Sequence, residues 1–395
     1  MRPMSLHIQA IQTADAAMWD AYVHSHPQAT LYHRYGWRNV IEKTYGHKAY
    51  YLAATRQSSS QEFRPPPKNS GFDHPSPIPH PPSALVGLLP LIHLKHFLFG
   101  NSLISMPFFD IGGILADDEE TERSLLLHAI KLGQTLKANT LEFRHAQPLS
   151  CLNAPNSINP SNPTNPSNPT NSCFIVTRSH KVRMLLDLPD SADKLMNSFK
   201  AKLRSQIKKP MKEGLAVKIG GGELLKDFYR VFARNMRDLG SPAHSNKLMM
   251  HVLCEFSKDA RIVIVYRDNH PLASSLIIAF NSMLENPWSS SLREFSHLSP
   301  NMLLYWRMLE YACNNGLTCF DFGRSTPNEG TYRFKEQWGA TPSPLYWHYI
   351  LLNGHQLSEA PDDKSRFAAL INYWQKLPVS VSRFVGPPIR KHIGL

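Results

Sequence analysis

FDFGRSTPNEGTYRFKEQWGA, residues 320–340, carries the densest chemistry in the chain. An apolar strand pattern ends in Asp321 and then Gly323. A polar turn with Arg324 and Ser325 follows. A Gly330-led segment then brings Arg333, Phe334, Lys335 and Trp338. Cation, carboxylate, hydroxyl and aromatic groups crowded at a strand exit mark a place where binding and catalysis occur. The plainer reading is a loop with a solvated cation and a core Trp.

Working outward, the same strand has a counterpart in the first half. Residues 123–136 read as a helix and are followed by the strand TLEFR, 140–144. Residues 300–314 read as a second helix, followed by TCFDFGR, 318–324. Leu141-Glu142-Phe143 and Phe320-Asp321-Phe322 each hold an acid between two apolar residues. A helix followed by an acidic strand in both halves predicts a duplicated α/β unit. Beyond the midpoint, MLLDLP (184–189) reads as a strand and 191–213 as one basic helix stopped by Gly214. LAVKIGG (215–221) is a strand, 224–239 an amphipathic helix, and 261–268 with 272–280 a hairpin.

Two stretches belong to no core. Residues 57–83 are Pro- and Ser-rich and separate the strands 50–55 and 84–94, which predicts a hairpin with an enlarged tip. Residues 153–172 are a near-repeat of Asn, Pro, Ser and Thr between LEFRHAQ (141–147) and CFIVTR (173–178), read as a second hairpin loop or a boundary linker. The expected division is 1–180, 181–363 and an amphipathic tail, 364–395.

Size and charge narrow the classes. A chain of 395 residues exceeds one ordinary core, so two domains are expected. Net charge is +12, which favours anionic partners: phosphorylated substrates, RNA or an acidic membrane surface. Five cysteines without zinc or redox spacing, and no HExxH, argue for a reducing compartment and no metal. The opening residues hold no signal-peptide core and the longest apolar run, 84–92, is far short of the ~20 residues that span a bilayer. A cytoplasmic protein is expected, peripheral to the inner membrane where it meets lipid.

Several motifs are missing. There is no GxxxxGK[ST], no GxGxxG after a strand, no G-x-S-x-G, and no consensus acyl-CoA pyrophosphate loop. In the basic helix, Arg204 lies four residues from both Lys200 and Lys208, a face suited to phosphate, RNA or water alone. Lys335 beside Phe334 suits stabilisation of an acyl-transfer oxyanion. Asp321 is read as a proton acceptor for an attacking amine, or as the partner that orients Arg324.

The chain resembles FemAB-type proteins, in the branch associated with PEP-CTERM/exosortase and exopolysaccharide gene clusters. The strings that carry the resemblance are WRNVIEKTYGHKAYYLAA (37–54), VGLLPL (86–91), LFGNSLISMPFFDIGGILAD (98–117), LEFR (141–144), NMRDLGSP (235–242), NMLLYWRMLEYAC (301–313), FDFGRSTPNEGTYRFKEQWGA (320–340) and WQKLPVSVSRFVGP (374–387). The family pattern has Leu-Gly-Thr-Pro where this chain has Leu239-Gly240-Ser241-Pro242.

The resemblance implies two tandem GNAT-like acyltransferase domains, each a twisted mixed sheet flanked by helices. It implies acyl or aminoacyl transfer to an amine or hydroxyl of an envelope or exopolysaccharide precursor, anionic or lipid-linked, held between the domains. Phe334-Lys335 matches the family's Phe-Lys pair, with Lys335 on the oxyanion and Asp321 the third catalytic candidate. Arg324, Ser325, Arg204, Arg333, Trp338 and Tyr305 are the expected substrate contacts; Arg38 is near the family's first-domain phosphate contact in pattern only. No permanently bound cofactor is implied; the donor is left open among aminoacyl-tRNA, acyl-CoA and acyl-carrier protein. The oligomeric state is left open too. Two other classes compete: a non-catalytic scaffold docked to acidic lipid with help from the C-terminal tail, and an RNA-binding protein using 194–213.

Overall fold

The computed structural model describes residues 6–56, 84–152, 174–352 and 364–394. The two Pro-rich inserts lie outside the described residues.

The first half comprises β1 (Leu6–Ala10), α1 (Ala16–Ser25), α2 (Gly36–Tyr45), β2 (Lys48–Arg56), β3 (Ala84–His96), β4 (Gly100–Ile104), β5 (Leu115–Ala116), α3 (Glu119–Thr135), β6 (Thr140–His145) and β7 (Phe174–Arg178). The second opens with β8 (Val182–Asp187), α4 (Ala192–Ser198), α5 (Ala201–Lys212), β9 (Leu215–Gly220), α6 (Leu225–Asp238) and α7 (Asn246–Glu255). It continues through β10 (Ala260–Arg267), β11 (His270–Phe280), β12 (Met283–Ser291), α8 (Pro300–Asn314), β13 (Cys319–Ser325), α9 (Gly330–Glu336) and β14 (Thr341–Pro344). The chain ends with β15 (Tyr346–Leu351), α10 (Lys364–Lys376) and α11 (Val379–Arg390).

Two mixed sheets result, ordered β1-β2-β3-β4-β6-β15-β7, with β5 beside β3, and β14-β8-β13-β12-β11-β10-β9. The duplicated unit is present. In each half a helix carries the chain to a strand parallel with the one before it: β4–α3–β6 and β12–α8–β13. The acids occupy matching places, Glu142 opposite Ile104 and Asp321 opposite Glu285, each at the last paired position. α3 starts cleanly because the Asp118 side chain accepts from the Thr121 N–H, and three glutamates in its first turn face the positive end of the helix. The hairpin β2–β3 forms as expected, with Arg56 opposite Ala84 across the insert, and so does β10–β11.

Two expectations are corrected. First, 191–213 is two helices. Phe199 and Lys200 are extended, because the Phe199 ring is buried against Trp306 and Trp338 and turns the chain between α4 and α5. Second, β6 and β7 are not a hairpin: β15 lies between them and pairs antiparallel with both. The segment assigned by sequence to the second half therefore returns to complete the first sheet. The amphipathic tail packs on the body. Leu377 O accepts from Arg237 Nη1 at 2.7 Å, and Lys391 O is hydrogen-bonded to His47 Nε2 at 2.7 Å.

One apolar cluster joins the halves, with Trp37 of α2 packed 4.8 Å from the Phe256 ring that follows α7. This shared core fixes the two sheets relative to each other and so fixes the shape of the cleft between them.

Candidate active site

β12 and β13 pair only over Met283–Glu285 and Cys319–Asp321. Just beyond, each carries a bulge. Ile278 faces Glu285 while Leu276 faces Trp288, one residue too many on β12. Asp321 faces Leu185 while Arg324 faces Arg183, one too many on β13. Gly323 takes the left-handed conformation this requires (φ +76°). Beyond the paired residues a cavity of ≈ 320 Å³ opens between the strands and the first half, which supplies Tyr32, Asp110 and Ile111.

Lys335 enters this cavity from α9. Its Nζ donates to Gly323 O at 2.9 Å and Arg324 O at 2.8 Å, the two carbonyls turned out by the bulge. An ammonium has three N–H groups, so one is left for a ligand. The side chain is buried, and that burial holds its pKa down to about 8; Asp321 and Asp110 pull it up, and Arg324 adds to the lowering.

The acids divide the remaining work. Asp321 Oδ2 accepts from Arg183 Nε at 2.9 Å and Nη2 at 2.7 Å, and its Oδ1 accepts from the Gly323 N–H at 2.7 Å. Both partners are buried. Asp321 is therefore engaged in a charge-assisted pair, which corrects one of the two readings made from sequence. It does not orient Arg324, whose Nη1 bonds Asp110 at 2.9 Å while the guanidinium lies over Trp347. Glu285, register partner of Asp321, is the carboxyl free to titrate. Burial pushes its pKa up to about 7; Arg183 opposes this and the Asp321 charge adds to it. The buried Tyr32 phenol faces the same acids and is pushed well up, by burial first and then by Glu285.

The remaining expected residues scatter. Tyr305 lines the cavity, its ring stacked on Phe322 at 5.4 Å. Phe334 does not line it but packs edge-on behind Tyr305 at 5.0 Å. Trp338 is fully buried and floors a separate groove beside α4 and α5. Ser325 is buried at the end of β13, and Arg333 is exposed on α9. Arg204 donates to Phe199 O at 2.6 Å and caps the end of α4, outside the cavity. Arg38 pairs with Glu42, also outside it.

Sequence reading missed Tyr32, Asp110, Arg183 and Glu285. For Glu285 and Arg183 the signal is the strand register, which places Glu285 beside Asp321 and Arg183 beside Arg324; Tyr32 and Asp110 reach the cavity from outside the strands. Among the described residues, no group of three His, Cys, Asp or Glu could hold a metal, and no helix is long and apolar enough to cross a membrane.

Residues 197–336 match the model of an acetyltransferase (GNAT) domain. The crystal structure of FemX superposes with a TM-score of 0.60 at 16% identity, covering 92% of this chain and 100% of that one. The chain has a FemAB-like tandem GNAT fold. A tandem GNAT protein from the clavulanic acid biosynthesis pathway is similar to this tandem GNAT chain at a TM-score of 0.50 and 10% identity, over 89% of this chain and 100% of that one. A conserved protein of unknown function from Bacteroides thetaiotaomicron gives 0.51 at 9% identity, over 88% and 100%. No curated protein matches the chain in sequence. In this tandem fold the α8–β13 unit that supplies Asp321 and Arg324 lies inside the matched GNAT segment, while Tyr32 and Asp110 reach the cavity from the other half.

Proposed function

We propose that the protein transfers an acyl or aminoacyl group to an amine or hydroxyl of an anionic acceptor bound between the two halves. The observation that carries this is Lys335 Nζ, held by the two bulge carbonyls with one N–H to spare, in a cavity that also holds a carboxyl titrating near neutrality. The acceptor heteroatom attacks the donor carbonyl and a tetrahedral oxyanion forms. Lys335 donates to that oxygen. Glu285 takes the proton released by the attacking atom and can return it to the leaving oxygen or sulfur as the old acyl bond breaks. Arg324, already turned toward the cavity, contacts phosphate or carboxylate on the acceptor. The resemblance strings support an envelope or exopolysaccharide precursor as that acceptor.

Native mass spectrometry with acyl-CoAs, acyl-carrier protein and aminoacyl-tRNA tests the reading. Saturable binding of one donor class, followed by transfer to an amine acceptor, is expected. Binding of none of the three would overturn it.

A further inference from the structure

We propose that the β3–β4 tip and one face of α11 form a single surface that docks on an anionic phospholipid bilayer. This is independent of the transfer chemistry. The tip is the three-residue turn Phe97, Leu98 and Phe99, exposed by 87%, 72% and 46%. Isolated exposed apolar residues need no explanation, but three in succession at the end of a hairpin do. The turn is held out by a regular ladder, with Lys95 opposite Asn101 and His96 opposite Gly100.

The tip is tied to the C-terminal tail. The His392 ring lies 4.1 Å from His96 and stacks on Phe99 at 5.9 Å. On α11, Val381, Phe384, Val385 and Pro388 are exposed and recur at helical spacing, so they share one face. Phe384 is 83% exposed. His392 lies in the turn just past the end of α11, beyond Phe384 and Pro388 along the chain. The apolar face therefore leads toward the aromatic tip.

Charge selects the occupant. Residues 84–104 and 364–394 contain no Asp or Glu, whereas Lys95, Arg383 and Lys391 flank the apolar groups; Arg390 is turned inward over the buried Phe108 ring. A protruding aromatic tip ringed by cations fits the boundary between acidic headgroups and acyl chains. A flat protein interface would not require the uniform sign.

Co-sedimentation of the full chain with vesicles tests this, comparing phosphatidylcholine mixed with phosphatidylglycerol against phosphatidylcholine alone. Wild type is expected to partition onto the mixed vesicles and to be released by salt. The double variant Phe97→Ser/Leu98→Ser removes only exposed side chains and is expected to keep the wild-type thermal transition while losing at least about tenfold in partitioning. Failure of wild type to partition, or equal partitioning by the double variant, would overturn the proposal. So would vesicle-independent self-association of wild type that the same variant abolishes, because that would make a second copy the occupant.

Discussion

Glu285 and Asp321 face each other across the parallel β12–β13 pair, yet both carboxylate hydrogen bonds of Arg183 go to Asp321. One of two neighbouring buried acids is thus held as an ion pair. The other is left with its pKa raised. Burial raises Glu285 first and the neighbouring Asp321 charge adds to it, so the acid outside the Arg183 pair becomes the candidate proton acceptor.

The first prediction concerns pH. Glu285 must be ionised to take a proton, so activity rises as pH passes about 7. Lys335 must be protonated to donate to the oxyanion, so activity falls as pH passes about 8. A narrow bell in kcat/KM is expected, with limbs belonging to the coupled site rather than to isolated groups. Glu285→Gln should lower turnover by roughly 10²–10⁴-fold and remove the acid limb. A variant that keeps that limb would assign the base elsewhere.

The second prediction separates structure from catalysis at Asp321. Asp321→Asn leaves the Arg183 charge buried without its counter-charge, which should cost about 3–5 kcal/mol of stability in a denaturant titration. Unchanged stability with lost turnover would instead make Asp321 the proton acceptor.

Gly323 gives the third. A Cβ there would meet only Asn286 O, at 3.7 Å, so space is not the obstacle. The backbone conformation is, and Gly323→Ala should cost about 1–2 kcal/mol. Its carbonyl positions Lys335, so turnover should fall by more than stability alone explains. A variant with wild-type turnover would show that the bulge need not be rigid.

Arg204 gives the fourth. Because it caps α4 and does not reach the cavity, Arg204→Ala should weaken stability by about 1 kcal/mol and leave kcat and KM unchanged. A raised KM would restore the phosphate role read from sequence.

Local pattern carried much of this fold. The two acidic strands revealed the duplication because each acid interrupts an apolar run. Lys335 stood out because α9 sets it among aromatics directly after the β13 turn. Pairing information was invisible by comparison. Nothing in the string Tyr346–Leu351 says that it crosses back to lie between β6 and β7. The break at Phe199 depends on Trp306 and Trp338, more than a hundred residues away. Glu285 reads as an ordinary strand acid until register puts it beside Asp321. Arg183 likewise acquires its role only from a partner 138 residues distant.

The central claim is that Lys335 stabilises the oxyanion of acyl transfer, and the turnover of Lys335→Ala on the donor identified by binding tests it most directly. The account expects a loss of roughly 10²–10³-fold in kcat, as for removal of one oxyanion donor, with donor binding and the thermal transition retained. Turnover close to wild type would contradict it.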